Sequence, residues 1–70
     1  MMKHFQEGQE VYRIWLNDEL FIGVGDNSGC EKITVVIESN GSIWFAVWIN
    51  GEITVKYNAA FVDSVVLKNG

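Results

Sequence analysis

The sequence offers few side chains whose type and spacing could perform catalysis or bind a metal. It contains one cysteine, Cys30, and one histidine, His4, which are far apart in the chain. A catalytic nucleophile needs an adjacent base and a structural zinc site needs several Cys or His ligands, so neither chemistry is supported. No pair of carboxylates has a plausible acid–base environment. We therefore expect a protein that is not an enzyme and that has no metal or other cofactor.

The charge balance limits the choice of partners. Nine acidic residues against five basic ones give a formal net charge of −4 at pH 7. The basic residues are scattered along the chain, whereas binding to a nucleic-acid backbone normally uses a clustered basic stripe. This distribution argues against DNA binding. A ring of subunits can nevertheless concentrate one cation from each copy at its pore.

The chain lacks the apolar segments that membrane insertion and secretion require. No stretch is long and apolar enough to span a bilayer, and the N-terminus has no apolar signal-peptide region. A single cysteine excludes an internal disulfide and favours a reducing compartment. We expect a cytoplasmic protein without a membrane partner.

Alternating residue patterns predict a domain built from short strands. Seventy residues suffice for one domain with one core, over residues 1–70. Segments rich in β-branched and aromatic residues alternate with turn residues. The predicted strands cover residues 11–16, 20–24, 32–39, 42–50 and 52–57, followed by a helical turn within 58–64 and a closing strand at 65–68. We predict an all-β fold, a small and strongly bent five-stranded antiparallel barrel.

Two Asn-Gly pairs, at 40–41 and 50–51, predict two tight hairpins in the middle of the chain. Both central residues of a two-residue type I′ turn need positive φ, which Asn and Gly tolerate best. Counting outward from two such turns pairs Ile37 with Trp44 and Trp44 with Tyr57. One face of this meander is then wholly apolar and is predicted to be the core face: Ile33, Val35, Ile37, Trp44, Ala46, Trp48, Ile53, Val55 and Tyr57.

The opposite face of this meander is polar on its flanking strands but apolar along its central strand. A solvated sheet face should be polar, so an apolar centre indicates that the sheet curls until both faces are partly buried, that this face contacts another protein surface, or both. We expect these residues to form a subunit interface: Ile43, Phe45, Val47 and Ile49. Self-association would also stabilise so small a chain, which buries only about 60% of its unfolded surface on folding.

The first two predicted strands carry two further local features. Gly23, within the second strand, predicts a bend or β-bulge of the kind that turns the corner of a small barrel. In the first strand, alternation places Arg13 on the same side as Trp15, with its guanidinium stacked over the indole.

Two segments resemble the signatures of the Sm-like (LSm/Hfq) family. VYRIWLNDELFIG, residues 11–23, is similar to the start of the first Sm signature, in which a strand leads through a polar turn into a second strand ending at a glycine. TVKYNAAFVDSVVL, residues 54–67, resembles the second signature, in which a strand and a short turn precede a final Val-Val strand. The resemblance is one of pattern rather than identity. It implies a bent five-stranded barrel, a closed homo-oligomeric ring and single-stranded RNA binding around the pore.

The resemblance also indicates which polar residues would contact RNA. Positions equivalent to the base-binding Asp and Asn of the family hold other residue types, but Asp26 and Asn27 lie nearby in the sequence. In the second signature, Lys56 and Asn58 supply a cation and an amide. Single-stranded RNA is bound by cations, amides and stacking surfaces, so we expect contacts from Lys56 and Asn58, with Asp26 and Asn27 as loop contacts. The same residue types are also common as solvated residues at strand ends and in loops.

A second class of function fits the same strand pattern. Src-homology-3-like modules also have five short strands with a helical turn before the last one, and they bind protein segments through an aromatic groove. Tyr12, Trp15 and Glu19 could contribute to such a groove here. This alternative is a small β-barrel interaction module that binds no RNA. The two hypotheses differ in assembly, since such a module should be monomeric.

Overall fold

The computed structural model describes residues 5–26 and 29–68 and shows an all-β protein. Its strands are β1 (Glu10–Trp15), β2 (Phe21–Gly23), β3 (Lys32–Ile37), β4 (Ile43–Ile49), β5 (Glu52–Asn58) and β6 (Ser64–Leu67). A 3₁₀ helix, Ala59–Phe61, joins β5 to β6. Each predicted strand and the predicted helical turn are confirmed, with strand ends within two residues of those expected. The described chain contains no helix of a length and apolarity that would let it cross a membrane.

The strands form one antiparallel sheet that curls into a half-barrel. Five strands follow the order β2-β1-β3-β4-β5, and the short β6 pairs with β1. One edge of β1 is shared between β3 and β2, because its first residues pair with β3 and its last residues with β2. β6 takes the opposite edge of β1. The predicted small, bent β-barrel is therefore confirmed.

The two central hairpins close with different turns. At residues 50–51 both positions have positive φ, 55° and 77°, which is the expected type I′ turn. At residues 38–42 Gly41 has a φ of 88° and donates its N–H to the Glu38 carbonyl, while the Glu38 N–H donates to the Ser42 carbonyl. This is a three-residue loop with a glycine bulge. The prediction of a two-residue turn at the first Asn-Gly pair is wrong.

The longer turn shifts β4 by one residue against β3. Val35 pairs with Phe45, and Ile33 pairs with Val47. Phe45 and Val47 therefore point into the core, where only 1% and 2% of their surfaces are exposed. A one-residue shift exchanges the two faces of a strand, because successive side chains point to opposite sides.

This shift corrects two predictions about the faces of β4. The residues expected at a subunit interface instead face the core of their own chain, with Phe45 and Val47 buried in it and the other two packed against it: Ile43, Phe45, Val47 and Ile49. The residues of β4 expected in the core lie on the outer side of the sheet: Trp44, Ala46 and Trp48. Ala46 is covered there by its neighbours.

Two β-bulges complete the arrangement of the core. In β1 the pairing with β6 shifts between Val11 and Arg13, so Tyr12 is the extra residue. The bulge lets both Val11 and Ile14 point inward, although strict alternation would have separated them, and both are fully buried. In β5 the pairing with β4 shifts in the same way, and Thr54 is the extra residue.

Gly23 serves close packing and is not a bulge. It is the last residue of β2 and pairs with Arg13 in regular register. A Cβ atom added to Gly23 would lie 3.1 Å from the Arg13 Nε, so the glycine makes room for the arginine side chain. Arg13 lies over the ring of Phe21 rather than over Trp15, which corrects the predicted stacking partner.

The core is small and apolar, and its buried members come from β1, β3, β4 and the segment before β3: Val11, Ile14, Cys30, Ile33, Val35, Phe45 and Val47. Phe5 covers one end, with its ring edge-on to that of Phe45 at a centroid distance of 5.4 Å. Beside Phe5, a cavity of about 580 Å³ opens between β4, the 3₁₀ helix and β6. No residue with a polar side chain is fully buried among those that the structure describes.

Matched isoleucine substitutions test the corrected core. We expect Ile33→Val to lower the free energy of unfolding by about 0.5–1.5 kcal/mol, because it removes a fully buried methylene. The same change at Ile53, which is 45% exposed, should alter it by less than about 0.5 kcal/mol. Urea unfolding followed by tryptophan fluorescence measures both values. Equal losses in the two variants would contradict the assignment of the core.

Candidate nucleic-acid interface

The outer side of β3, β4 and β5 presents two tryptophan rings and two lysines. We call this surface the tryptophan face, and define it by the residues that point away from the core there: Lys32, Thr34, Val36, Trp44, Ala46, Trp48, Ile53, Lys56 and Asn58. Trp44 and Trp48 are four residues apart on one strand, so their backbones are separated by about 13 Å. The small Ala46 between them leaves no large side chain to separate the two rings.

Each indole is fixed by a hydrogen bond within the chain. Trp48 Nε1 donates to Thr34 Oγ1 at 2.9 Å, and Trp44 Nε1 donates to Ser42 Oγ at 3.1 Å. Both rings are half-buried. Because their polar N–H groups already have partners, the part of each ring left to a ligand is its apolar π surface, which favours stacking over hydrogen bonding.

A lysine lies over each tryptophan. The Lys32 Nζ is 4.4 Å from the Trp48 ring centroid, and the Lys56 Nζ is 5.9 Å from that of Trp44. Lys56 also lies 3.6 Å from a carboxylate oxygen of Glu38, in a pair that is exposed on both sides. Exposed ion pairs of this kind contribute about 0–1 kcal/mol to stability. A ligand can therefore replace Glu38 as the partner of Lys56 at little cost in free energy.

Two of the residues predicted to bind RNA lie together on this face. Lys56 pairs with Ala46, and Asn58 pairs with Trp44. Asn58 Oδ1 accepts a hydrogen bond from the Ala60 N–H at 2.8 Å and so caps the 3₁₀ helix. Its amide NH₂ is the part of the side chain that can donate to a ligand.

The two predicted loop residues do not join this cluster. Asp26 Oδ2 accepts the Gly23 N–H at 2.8 Å, and this contact closes the loop after β2. The loop meets the far end of β4, because the Glu31 N–H donates to the Trp48 carbonyl. Asp26 is therefore placed toward the opposite end of β4 from Asn58. Asn27 lies outside the described residues.

Sequence reasoning missed Lys32, Thr34 and both tryptophans as candidate site residues. The incorrect turn placed Trp44 and Trp48 in the core, and the two β3 residues were then left on the other side of the sheet. One signal could have indicated the correct face. A buried tryptophan usually requires a hydrogen-bond partner for its N–H, and Thr34 and Ser42 are the nearby hydroxyls that provide one.

Cys30 is a core residue rather than a reactive group. Its thiol donates to the Lys32 carbonyl at 3.5 Å. Burial raises the pKa of the Cys30 thiol, and the negative charge of Asp26 raises it further. A raised pKa keeps the thiol protonated and poorly nucleophilic at neutral pH. Over residues 5–26 and 29–68, no three His, Cys, Asp or Glu side chains are grouped closely enough to hold a metal ion.

Comparisons with models of known protein families, with curated proteins and with solved structures found no match to this chain. A functional assignment therefore depends on its own side chains.

The environment of Cys30 predicts slow alkylation and a specific pH dependence. We expect a thiol reagent at pH 8 to react on the order of a hundredfold more slowly with the folded protein than with protein unfolded in urea. Because folding raises the pKa of this thiol, its contribution to stability is complete below the ordinary thiol pKa and is lost as the pH rises above it. Urea unfolding between pH 7 and pH 10 should show a smaller alkaline loss in Cys30→Ala. Equal reaction rates in folded and unfolded protein would contradict this environment.

Proposed function

We propose that this protein binds single-stranded RNA on the tryptophan face. The observation that carries the proposal is the pair of indole rings on one strand, each with its N–H satisfied and with a lysine over its ring. Stacking of a base on an aromatic side chain contributes about 1–3 kcal/mol and tolerates any base, because every base has a π surface. Lys32 and Lys56 would move from the rings to neighbouring phosphates.

The separation of the rings determines how a strand would lie. Their backbones are about 13 Å apart, whereas consecutive nucleotides of a stacked strand rise only about 3.4 Å. The two bound bases are therefore not neighbours in a stacked strand. They are either about four stacked steps apart or joined by a shorter, extended length of backbone. The Asn58 amide, opposite Trp44, offers a donor for a base edge or a ribose hydroxyl.

The charge of the chain sets the expected strength of binding. A protein with a net charge of −4 that offers two lysines on its binding face should bind weakly and with little salt dependence. Each phosphate contact on a single strand contributes a slope of about −0.7 to the dependence of log K on log salt concentration. Two contacts predict a slope of about −1.4.

Tryptophan substitutions on the two sides of the protein test the proposal. We expect Trp44→Ala to weaken binding of fluorescein-labelled oligo-U by about 1–3 kcal/mol, because one stacking surface is lost. Trp15→Ala is the matched control, since Trp15 packs against Phe21 outside this face and its loss should leave the affinity unchanged. Fluorescence anisotropy at low salt measures both affinities, and circular dichroism checks that both variants fold.

A charge control separates phosphate contacts from general repulsion. The double variant Lys32→Gln, Lys56→Gln should reduce the salt slope to near zero. Lys68→Gln, which removes a lysine paired with Glu10 outside the tryptophan face, should keep the slope of the unmodified protein. Affinity that is unchanged in Trp44→Ala, or a slope that falls equally in all lysine variants, would contradict the proposed face.

We propose as a second property that copies of this chain associate into a ring through the edges of the sheet. Among the described residues, β5 has only β4 as a neighbour and β6 has only β1, so each strand leaves one edge of unpaired backbone groups. Exposed apolar side chains accompany both edges: Ile53 and Val55 on β5, and Leu67 on β6. Unpaired edges of this kind are templates for strand addition, and pairing β5 of one copy with β6 of the next would cover both.

Light scattering tests the ring directly. We expect a discrete oligomer whose mass does not change with concentration. Val55→Lys should convert it to monomer, because a charged side chain on an edge strand opposes strand addition. Ser39→Lys adds the same charge at the exposed turn between β3 and β4 and should leave the oligomer intact. A monomer in the unmodified protein would exclude the ring without affecting the test of RNA binding.

A further inference from the structure

A second aromatic surface lies on the outer side of β6, β1 and β2. Arg13 is at its centre, between Val66 on β6 and Gly23 on β2. Tyr12, Phe21 and Val66 are 42%, 37% and 44% exposed, which is high for apolar residues in strands. We call this surface the arginine face: Tyr12, Arg13, Trp15, Phe21 and Val66. It shares no residue with the tryptophan face.

The Arg13 side chain is held in place by its neighbours. Its guanidinium carbon lies 4.7 Å from the Phe21 ring centroid and 5.5 Å from that of Tyr12. The absence of a side chain on Gly23 lets the arginine stem lie across β2. Phe21 is itself fixed by Trp15, with 4.8 Å between their ring centroids. An arginine ordered in this way loses little conformational entropy when it binds a ligand.

Arg13 also lacks the charge partner that an arginine usually finds. Its Nε is buried without a hydrogen-bond partner. Among the described residues no carboxylate forms an ion pair with it, whereas Lys56 pairs with Glu38 and Lys68 with Glu10. Because Nε is enclosed against Gly23, a carboxylate can bind this planar fork only through the two terminal nitrogens of the guanidinium.

We infer that the arginine face binds a partner protein through a segment in which an Asp or Glu side chain is next to an apolar residue. The carboxylate pairs with the Arg13 guanidinium, and the apolar side chain contacts Tyr12 and Val66. Tyrosine, tryptophan and arginine are the residues that most often dominate binding energy at protein interfaces, and all three are present here. A single carboxylate matches the single unpaired cation of this face. A polyanionic strand would find one cation on this face, whereas the tryptophan face offers two.

This surface stays available in an assembled ring. Strand pairing along the edge of β6 uses backbone groups in the plane of the sheet, whereas the side chains of the arginine face stand roughly perpendicular to it. The inference therefore does not depend on the ring or on RNA binding, and each can fail without the others.

A pair of short blocked peptides tests the inference. We would titrate ¹⁵N-labelled full-length protein with acetyl-Gly-Asp-Phe-Gly-amide and with its Asn counterpart, and follow the backbone amides by NMR. We expect the Asp peptide to shift the amides of Arg13, Gly23 and Val66 with a millimolar dissociation constant. The Asn peptide should bind about fivefold more weakly, which is the upper range for a solvent-accessible ion pair.

Variants identify the source of any preference. Arg13→Gln should abolish the difference between the two peptides, and Arg13→Lys, which keeps the charge but not the fork, should reduce it. Val66→Ser should weaken both peptides equally while leaving their ratio unchanged, and Lys56→Gln should change neither. A preference that persists in Arg13→Gln, or peptides that bind with equal affinity, would overturn the inference.

Two other outcomes would assign the face to a different occupant and would also overturn the inference. In the first, oligo-U shifts the amides of Arg13 and Val66 while the Asp peptide does not, which would place a phosphate at the guanidinium. In the second, the amides of Arg13 and Gly23 shift with protein concentration in the absence of peptide in the Val55→Lys variant, in which the ring is expected to be absent. That result would place a second copy of this chain on the arginine face.

Discussion

The pairing of β4 with β3 is the constraint on which the rest of the structure depends. The turn at residues 38–42 fixes this pairing, and the pairing decides which side chains of β4 fill the core. Phe45 and Val47 need no hydrogen-bond partner and suit an apolar interior. The two tryptophans of β4 carry N–H groups that do need one, and on the outer side they find hydroxyl groups. Each residue type thus lies on the face where its polar groups are satisfied.

The two outer surfaces combine aromatic rings with cations in physically different ways. On the tryptophan face the rings are fixed and the ammonium groups of Lys32 and Lys56 are on long side chains that can move. On the arginine face the cation itself is fixed, between Tyr12 and Phe21. Mobile cations beside fixed rings suit a strand whose phosphates vary in position. A fixed guanidinium suits one anion in a defined orientation. The aromatic side chains of both surfaces can lie on the outside because the small core is filled by other residues.

Local features of the sequence predicted most of the fold. The errors concern strand pairing and loop contacts, which depend on residues far apart in the chain. Strand positions follow from residue types and alternation, which are local, and all six were found. The prediction placed Trp44 on the wrong face because an Asn-Gly pair fits more than one type of turn. Since β4 is apolar on both sides, no polar residue in it revealed the one-residue shift in pairing. The bulge at Tyr12 has no compositional signature. Lys56 and Asn58 were placed together correctly because they are neighbours on one strand. Asp26 was predicted to join them but lies elsewhere, because its position in the sequence does not show which end of the sheet its loop contacts.

The turn that sets the register is chemically labile, as is the second Asn-Gly turn at residues 50–51. An asparagine followed by glycine is prone to deamidation, because the unhindered glycine nitrogen can attack the side-chain amide and form a succinimide. Opening of that ring at Asn40 yields largely isoaspartate, which routes the backbone through the side-chain carbon and lengthens the loop by one atom. Asn40 Oδ1 accepts hydrogen bonds from the N–H and the hydroxyl of Ser42, and that hydroxyl accepts the Trp44 N–H. Slow deamidation of Asn40 would therefore disturb both the turn and the Trp44 indole that is hydrogen-bonded to it. Mass spectrometry of stored protein would detect the change.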